Sequence, residues 1–431
     1  MKFILPIIFS ILGFFIVNMF FDIHQSLLIS MIILLVFYWS NEALPLGVVS
    51  LIPVIFFPLL GILDIKAVTA NYSNPIIFLF LGGFMLSIAV EKISLHQIIA
   101  NKLISIFPKT TRGVIFALAI TSAVLSSILS NTTTALLLMP IAIFLTDEDK
   151  LKLRFVLAIA YGASIGGIVT PIGTPPNLIL LGFLEENNLP NLTFALWMLK
   201  TIPLATIMLV IVSYILSLGV SNIKIMIEDK KLELDKNQKR LKNILVILMI
   251  ALFMNSFIKI PDALILLGFG LLMFVPKIGF LEWEDTKNIP YEIIFLFGAG
   301  FSIAKAFSST HLDSEISTLL LSLTSLAPFI LLLVVAMIVT FTTEITSNTA
   351  LISIALPIIY AMGEHSNINI DLLLMVATIC ASYAFMLPIA TPPNAIAFSS
   401  GVVKIKDMAK YGFLFNLIAI TLTSFIGYFF W

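Results

Sequence analysis

Apolar residues run along the chain in blocks of about 20, which is the length a bilayer crossing needs. The blocks fall near 3–21, 25–39, 43–61, 74–91, 113–146, 155–184 and 196–218, then near 242–257, 262–276, 291–306, 326–360, 371–402 and 411–430. This pattern predicts an all-α polytopic membrane protein. Two blocks, 113–146 and 326–360, are too long for one span, and each is cut in the middle by a polar Ser-Asn-Thr. They read as helical hairpins, and the short second arm of the first, 132–145, favours a re-entrant half-dip over a double crossing. The blocks 155–184 and 371–402 read as single spans interrupted by tandem proline.

These features recur at a fixed spacing. Ser130-Asn131-Thr132 returns as Ser347-Asn348-Thr349, and Pro171-Ile172-Gly173-Thr174-Pro175-Pro176-Asn177 returns as Pro388-Ile389-Ala390-Thr391-Pro392-Pro393-Asn394, both 217 positions later. The run Ile76-Ile77-Phe78-Leu79-Phe80 and Pro140 recur with the same offset at 293–297 and Pro357. The chain is a duplicated unit. An extra helix (1–24) precedes a first repeat (25–218), a cytoplasmic linker (219–241) and a second repeat (242–431). With the N-terminus in the cytoplasm, 20 of the 24 Lys and Arg fall on cytoplasmic ends, leaving Lys66, Lys200, Lys259 and Lys305 outside. That bias supports about eleven spans and two hairpins. Each repeat then holds five crossings, so the copies have inverted topology and the C-terminus is extracytoplasmic.

Composition narrows the classes. With 60% hydrophobic and 11% charged residues, against roughly 25% charged in a soluble domain, there is no room for a sizeable aqueous domain. Equal Lys+Arg and Asp+Glu, 24 each, give no field for nucleic acid. The single Cys380 excludes an intramolecular disulfide, and His24, His96, His311 and His365 show no metal-ligand spacing. The apolar start up to Phe21 lacks a small-residue cleavage pattern and reads as a retained helix.

The breaks carry the chemistry. Non-helical backbone at membrane depth persists only where it is buried in protein or lines a cavity, and matched breaks in inverted repeats point to a transporter's binding site. Pro175 and Pro176 lack N–H groups and would free the carbonyls of Pro171 and Ile172; Pro392 and Pro393 would do the same for Pro388 and Ile389. Oxygens from Ser126, Ser130, Asn131, Thr343, Ser347 and Asn348 add hard ligands for a small cation. Helix arms starting after each break point positive dipole ends at the same place, which suits an anion. No Lys or Arg occurs in the two hairpins or the two interrupted spans, so a co-bound cation has to supply the positive charge. Glu344, beside the second motif, faces either that cation or the hairpin backbone. Gly162 and Gly166 read as a close helix contact. One Ser-Asn-Thr alone would be a helix cap, and one proline pair a kink; duplication at a fixed offset makes them a site.

At these residues the chain resembles the divalent anion:sodium symporter family, with its paired Ser-Asn-Thr hairpin tips and Thr-Pro-Pro breaks, over nearly its whole length. The resemblance implies sodium-driven import of C4-dicarboxylates such as succinate, fumarate or malate, or of citrate or sulfate, by a homodimer with an elevator-like moving region. It also implies a first sodium site at Ser126, Ser130, Asn131 and Gly173, and a second at Thr343, Thr346, Asn348 and Ala390. Substrate carboxylates would meet Asn131, Thr132, Asn348, Thr349 and Thr391, with Ser130 and Ser347 beside them. Some members of the family exchange dicarboxylates without sodium, and that alternative stays open. An arsenite exporter or sodium/proton antiporter of related design is a further alternative, although an antiporter would place an ionisable residue at each break. A membrane-embedded enzyme would need a catalytic Asp pair, a Ser-Lys dyad or a metal triad at membrane depth, and the sequence offers none.

Overall fold

The computed structural model describes residues 2–431 except 42, 191, 226–232, 259, 320–325, 365 and 367. Lys230, Lys231, Lys259 and His365 therefore lie outside the described residues. The described chain is helical, and five of its helical stretches are long and apolar enough to cross a membrane: Ile23–Asn41, Ile65–Lys92 (a short helix leading into a longer one), Phe194–Ser217, Tyr291–Ser309 and Ile405–Phe430.

The first helices follow the apolar blocks. α1 (Ile4–Val17) lies along α2 (Ile23–Asn41), and Ser10 and Ser30 each donate to the other's backbone oxygen at 2.8 Å. The block 43–61 is two short helices, α3 (Leu46–Ser50) and α4 (Ile52–Leu59), because the helix restarts ahead of Pro53. α5 (Ile65–Asn71), capped by Asp64, leads into α6 (Pro75–Lys92), which Asn74 caps with Pro75 in the first turn. α7 (Leu95–Ile106) is a short helix that the apolar pattern did not predict. α8 (Thr111–Ser126) and α9 (Asn131–Phe144) form the first hairpin. At about 1.5 Å per residue the 14-residue α9 reaches only part of the way across a bilayer. α10 (Asp149–Gly167) and α11 (Pro175–Glu186) are the two arms of the first broken element, and α12 (Phe194–Ser217) follows.

Helix starts then recur at the sequence spacing. α13 (Lys236–Ile258), α14 (Asp262–Leu272), the 3-10 turn Trp283–Asn288, α15 (Tyr291–Ser309) and α16 (Leu312–Leu319) precede the second hairpin. Its arms are α17 (Pro328–Thr343) and α18 (Asn348–Glu364); α19 (Ile370–Ala381), α20 (Pro392–Ser399) and α21 (Ile405–Phe430) complete the chain. Thr111, Asn131 and Pro175 begin helices 217 positions before Pro328, Asn348 and Pro392.

Packing joins the halves. α9 of the first hairpin packs on α20, and α11 packs on α18, so each hairpin meets the broken element of the other half. A large core embraces these helices, while a second, around Leu28, Leu35, Trp39, Phe57 and Phe307, joins α2 to α5 with α15. α10 runs against α8 at close range: a side chain at Gly162 or Gly166 would collide with the backbone of Ala119 or Ala123, as the small-residue pair predicts. Cys380 is fully buried in α19. Outside the cores, apolar side chains such as Phe15, Phe144 and Ile250 are exposed, the surface expected of a protein solvated by lipid.

One expectation is corrected. The tandem prolines do not interrupt a helix, because α10 has already ended at Gly167 and α19 at Ala381. Pro175-Pro176 and Pro392-Pro393 instead open α11 and α20, in first-turn positions where a missing N–H leaves no bond unmade. Thr174 and Thr391 are extended, with φ of −149° and −143°, as residues before proline prefer.

Candidate functional site: two hairpin tips in one cavity

The non-helical stretches at 127–130 and 168–174 and their counterparts at 344–347 and 382–391 meet around a cavity of about 810 Å³. From the motifs, Ser130, Asn131, Thr132, Gly173, Ser347, Asn348, Thr349, Ala390 and Thr391 line it. Four helices, α9, α11, α18 and α20, begin at its wall with Asn131, Pro175, Asn348 and Pro392. The dipoles of all four helices and the first-turn N–H groups of α9 and α18 make the cavity favourable to negative charge, although none of the described residues that line it is basic; α11 and α20 begin with proline pairs that have no N–H to offer.

The two tips share one construction. Ser126 Oγ donates to Asn131 Oδ1 at 2.5 Å, and Thr343 Oγ1 lies 2.6 Å from Asn348 Oδ1. Each hydroxyl is fully buried one turn back in the hairpin, beneath the cavity wall, and fixes the amide above it. With its oxygen engaged by Ser126, Asn131 has its Nδ2 left to donate to a carboxylate; Thr343 shares its one hydrogen between Asn348 Oδ1 and Ala381 O, the latter at 2.9 Å. Ser130 caps α9, accepting the Thr133 N–H at 3.0 Å. Thr346 lies outside the cavity wall, and its hydroxyl donates back to Thr342 O at 2.9 Å.

Each break is spanned by an asparagine that the site assignment from sequence left out. Asn177 Nδ2 donates to Gly167 O at 3.0 Å and Thr170 O at 2.9 Å; Asn394 Nδ2 donates to Ala384 O at 2.8 Å and Leu387 O at 3.1 Å. All three positions correspond under the 217-residue spacing, and both side chains are fully buried. Gly167 closes the first arm and Thr170, Ala384 and Leu387 lie within the breaks, so the asparagines satisfy carbonyls other than those of Pro171, Ile172, Pro388 and Ile389 that the prolines were expected to free. Duplication of the whole Pro-Pro-Asn motif was the signal. Thr174, the counterpart of Thr391, also lines the cavity and was missed although the same repeat marks it.

Glu344 takes the structural of its two readings. Its Oε1 accepts from Met386 N at 2.9 Å and Asn416 Nδ2 at 2.7 Å, and its Oε2 from Leu387 N at 3.0 Å. The carboxylate thus ties the second tip to the second break and to α21. At the corresponding place in the first half Thr170 Oγ1 donates to Ser127 O at 2.5 Å, so the same junction is held without a charge. Glu91, near the end of α6, also lines the cavity. It occurs in one half only and sits beside no break, so neither signal marked it.

A family model described as citrate transporter matches residues 32–380. The sodium-dependent dicarboxylate transporter SdcS of Staphylococcus saprophyticus is 32% identical over 91% of this chain and 83% of its own length. The SdcS of Staphylococcus aureus is 31% identical over the same shares. Among solved structures, MtrF of Neisseria gonorrhoeae aligns with a TM-score of 0.62 at 12% identity, covering 96% of each chain. The YdaH transporter of Alcanivorax borkumensis gives 0.62 at 13% identity, over 94% of this chain and 98% of that one. At such identity these two structures speak for the fold alone. Matched along most of its length by the family model and by the staphylococcal relatives, the chain belongs to the citrate transporter family, among the divalent anion:sodium symporters.

Proposed function

We propose that this protein is a secondary transporter that carries C4-dicarboxylates such as succinate, fumarate or malate into the cell together with sodium. One observation carries the reading: four helix N-termini and two asparagine amides converge on a cavity with no basic residue in its wall. The donors suit carboxylates, and the missing positive charge makes a co-bound cation an electrostatic requirement. The names of the staphylococcal relatives support the same substrate class and the same ion.

The two halves are taken as inverted repeats, with the N-terminus cytoplasmic and the C-terminus outside. Asn288 and Glu91 of the cavity wall neighbour Lys287 and Lys92, and Lys92 pairs with Asp285 at 2.6 Å. By the positive-inside bias that end is cytoplasmic, so the cavity reaches the cytoplasmic side. Transport would proceed by an elevator-type movement of the hairpins and broken elements, within a homodimer.

Reconstitution into liposomes tests the proposal. Labelled succinate uptake is expected with an inward sodium gradient and not with choline. Sodium-independent counterflow would make the protein an exchanger, and failure to carry any divalent anion would overturn the assignment. Competition by unlabelled citrate, sulfate, fumarate and malate ranks the substrates.

A further inference from the structure

α13 begins at Lys236, and Gln238 in its first turn donates from Nε2 to Ile93 O at 2.8 Å, just ahead of α7. Past that tie the two helices take other partners: α7 packs on α6 and α8, and α13 on α12 and α14. Between them lies an open groove of about 580 Å³. Leu95 and Ile99 of α7 form one wall, and Leu245, Met249 and Phe253, along one face of α13, form the other. Of the described residues that line it Lys242 alone is polar, and it stands at the end nearest the tie. From Lys242 to Met254 the helix rises about 18 Å, close to the roughly 15 Å of hydrocarbon in one leaflet.

The duplicated unit holds a counterpart of this groove. α2 ends at Asn41 and α13 at Ile258, and α7 begins at Leu95 and α16 at Leu312, each pair 217 positions apart. Gln25 stands where Lys242 does, but it is buried and donates to Thr310 O at 3.1 Å. Leu28 and Ile32, the counterparts of Leu245 and Met249, are buried in the second core with Leu312. The extra helix α1 covers the rest of that face: Phe9 stacks on Phe37 with 5.0 Å between ring centres, and Gly13 lies against Ile33. The counterparts of Phe37 and Ile33 on α13 are Met254 and Ile250, and both are exposed. The face that α1 covers on α2 is therefore bare on α13, and a lysine replaces the buried glutamine. A cation at headgroup height above an apolar channel one leaflet deep matches a lipid with a negative head, and Lys236 and Lys239 at the same end add to the attraction. A second copy docking through this face about a twofold axis along the membrane normal would instead bring two Lys242 ammonium groups together. We propose that the groove between α7 and α13 binds an anionic phospholipid, with one acyl chain along α13 and the phosphate at Lys242. The inference is independent of which solute the protein carries.

The test is thermal unfolding of the purified protein in a neutral detergent, titrated with dioleoyl phosphatidylglycerol or, separately, with dioleoyl phosphatidylcholine. The anionic lipid is expected to raise the unfolding temperature with a saturable dependence, and the zwitterionic one to fall well short of it. Lys242→Gln should raise the half-saturating concentration of phosphatidylglycerol roughly fivefold, corresponding to about 1 kcal/mol, and Lys242→Arg should keep it. Met249→Trp fills the channel and should remove most of the response. If that variant loses its sharp transition, Ile250→Trp, at an exposed position, carries the test. Lys404→Gln, outside the groove, should respond as the unaltered protein does. Equal responses to the two lipids, an unchanged response in both Lys242→Gln and the tryptophan variant, or an equal loss in Lys404→Gln would each overturn the site. A full response to dihexanoyl phosphatidylglycerol would mean that the head is held without a seated chain, and would overturn it too. A changed oligomeric state of the tryptophan variant on size exclusion, with its lipid response intact, would give the groove to a second copy and overturn the lipid assignment.

Discussion

At the scale of single residues, the site depends on amides held in one orientation. Asn131 and Asn348 lie at the cavity wall, each beside a buried hydroxyl: Ser126 donates to Asn131 Oδ1, which leaves that amide's hydrogens for the substrate, and Thr343 shares its hydrogen between Asn348 Oδ1 and Ala381 O. Asn131→Ala and Asn348→Ala are each expected to abolish succinate uptake while the protein still elutes as a folded species on size exclusion. Ser126→Ala leaves the Asn131 amide free to turn, and loss of one such bond, about 1 kcal/mol, corresponds to roughly a fivefold rise in succinate or sodium half-saturation. Glu344 illustrates the opposite use of charge. Three donors converge on it, from Met386, Leu387 and Asn416, so Glu344→Leu strands them in a buried place. A loss of about 1–3 kcal/mol for each stranded donor predicts a clear fall in the unfolding temperature. A variant as stable as the parent would show that the carboxylate does not hold the second break together.

At the scale of elements, the breaks are joints whose two ends are tied by a buried asparagine. Asn177→Leu and Asn394→Leu release two carbonyls each, and a cost of about 1–3 kcal/mol should appear as a lower unfolding temperature for both. Gly166→Leu is expected to push α10 off α8, since Ala123 occupies the space a side chain would need, and to lose both stability and uptake. The helix starts at Asn131 and Asn348 were legible in the sequence because Ser-Asn-Thr is conspicuous in an apolar run and repeats at one spacing. The true end of α10 was not, because the residues after Gly167, Ile168 and Val169, are as apolar as those before, and hydropathy carries no mark of where hydrogen bonding changes direction. α5, α7 and α16 escaped notice for a related reason: at 7, 12 and 8 residues they are too short or too mixed to stand out as spans. Glu91 was out of reach because it lines the cavity from one half only, with Ser308 at the matching position of the other, and sits beside no break.

At the scale of the whole molecule, the exchanged packing of α9 on α20 and of α11 on α18 means that neither half can close a binding site alone. The four helix ends around the cavity come in equal number from both halves, so movement of one tip is felt by the other's broken element. The proposed orientation is checked at the cavity mouth. Asn288→Cys should react with a membrane-impermeant maleimide in inside-out vesicles and stay unmodified in right-side-out ones; labelling from the outer face alone would reverse the topology. Such chemistry needs a quiet background, and the molecule supplies it. Its one thiol, Cys380, is sealed within α19 with none of its surface exposed. Any cysteine placed at a hairpin tip therefore stands alone to a soluble reagent, and two of them, carrying a donor and an acceptor dye, become a ruler for the distance the tips travel in a single transport cycle.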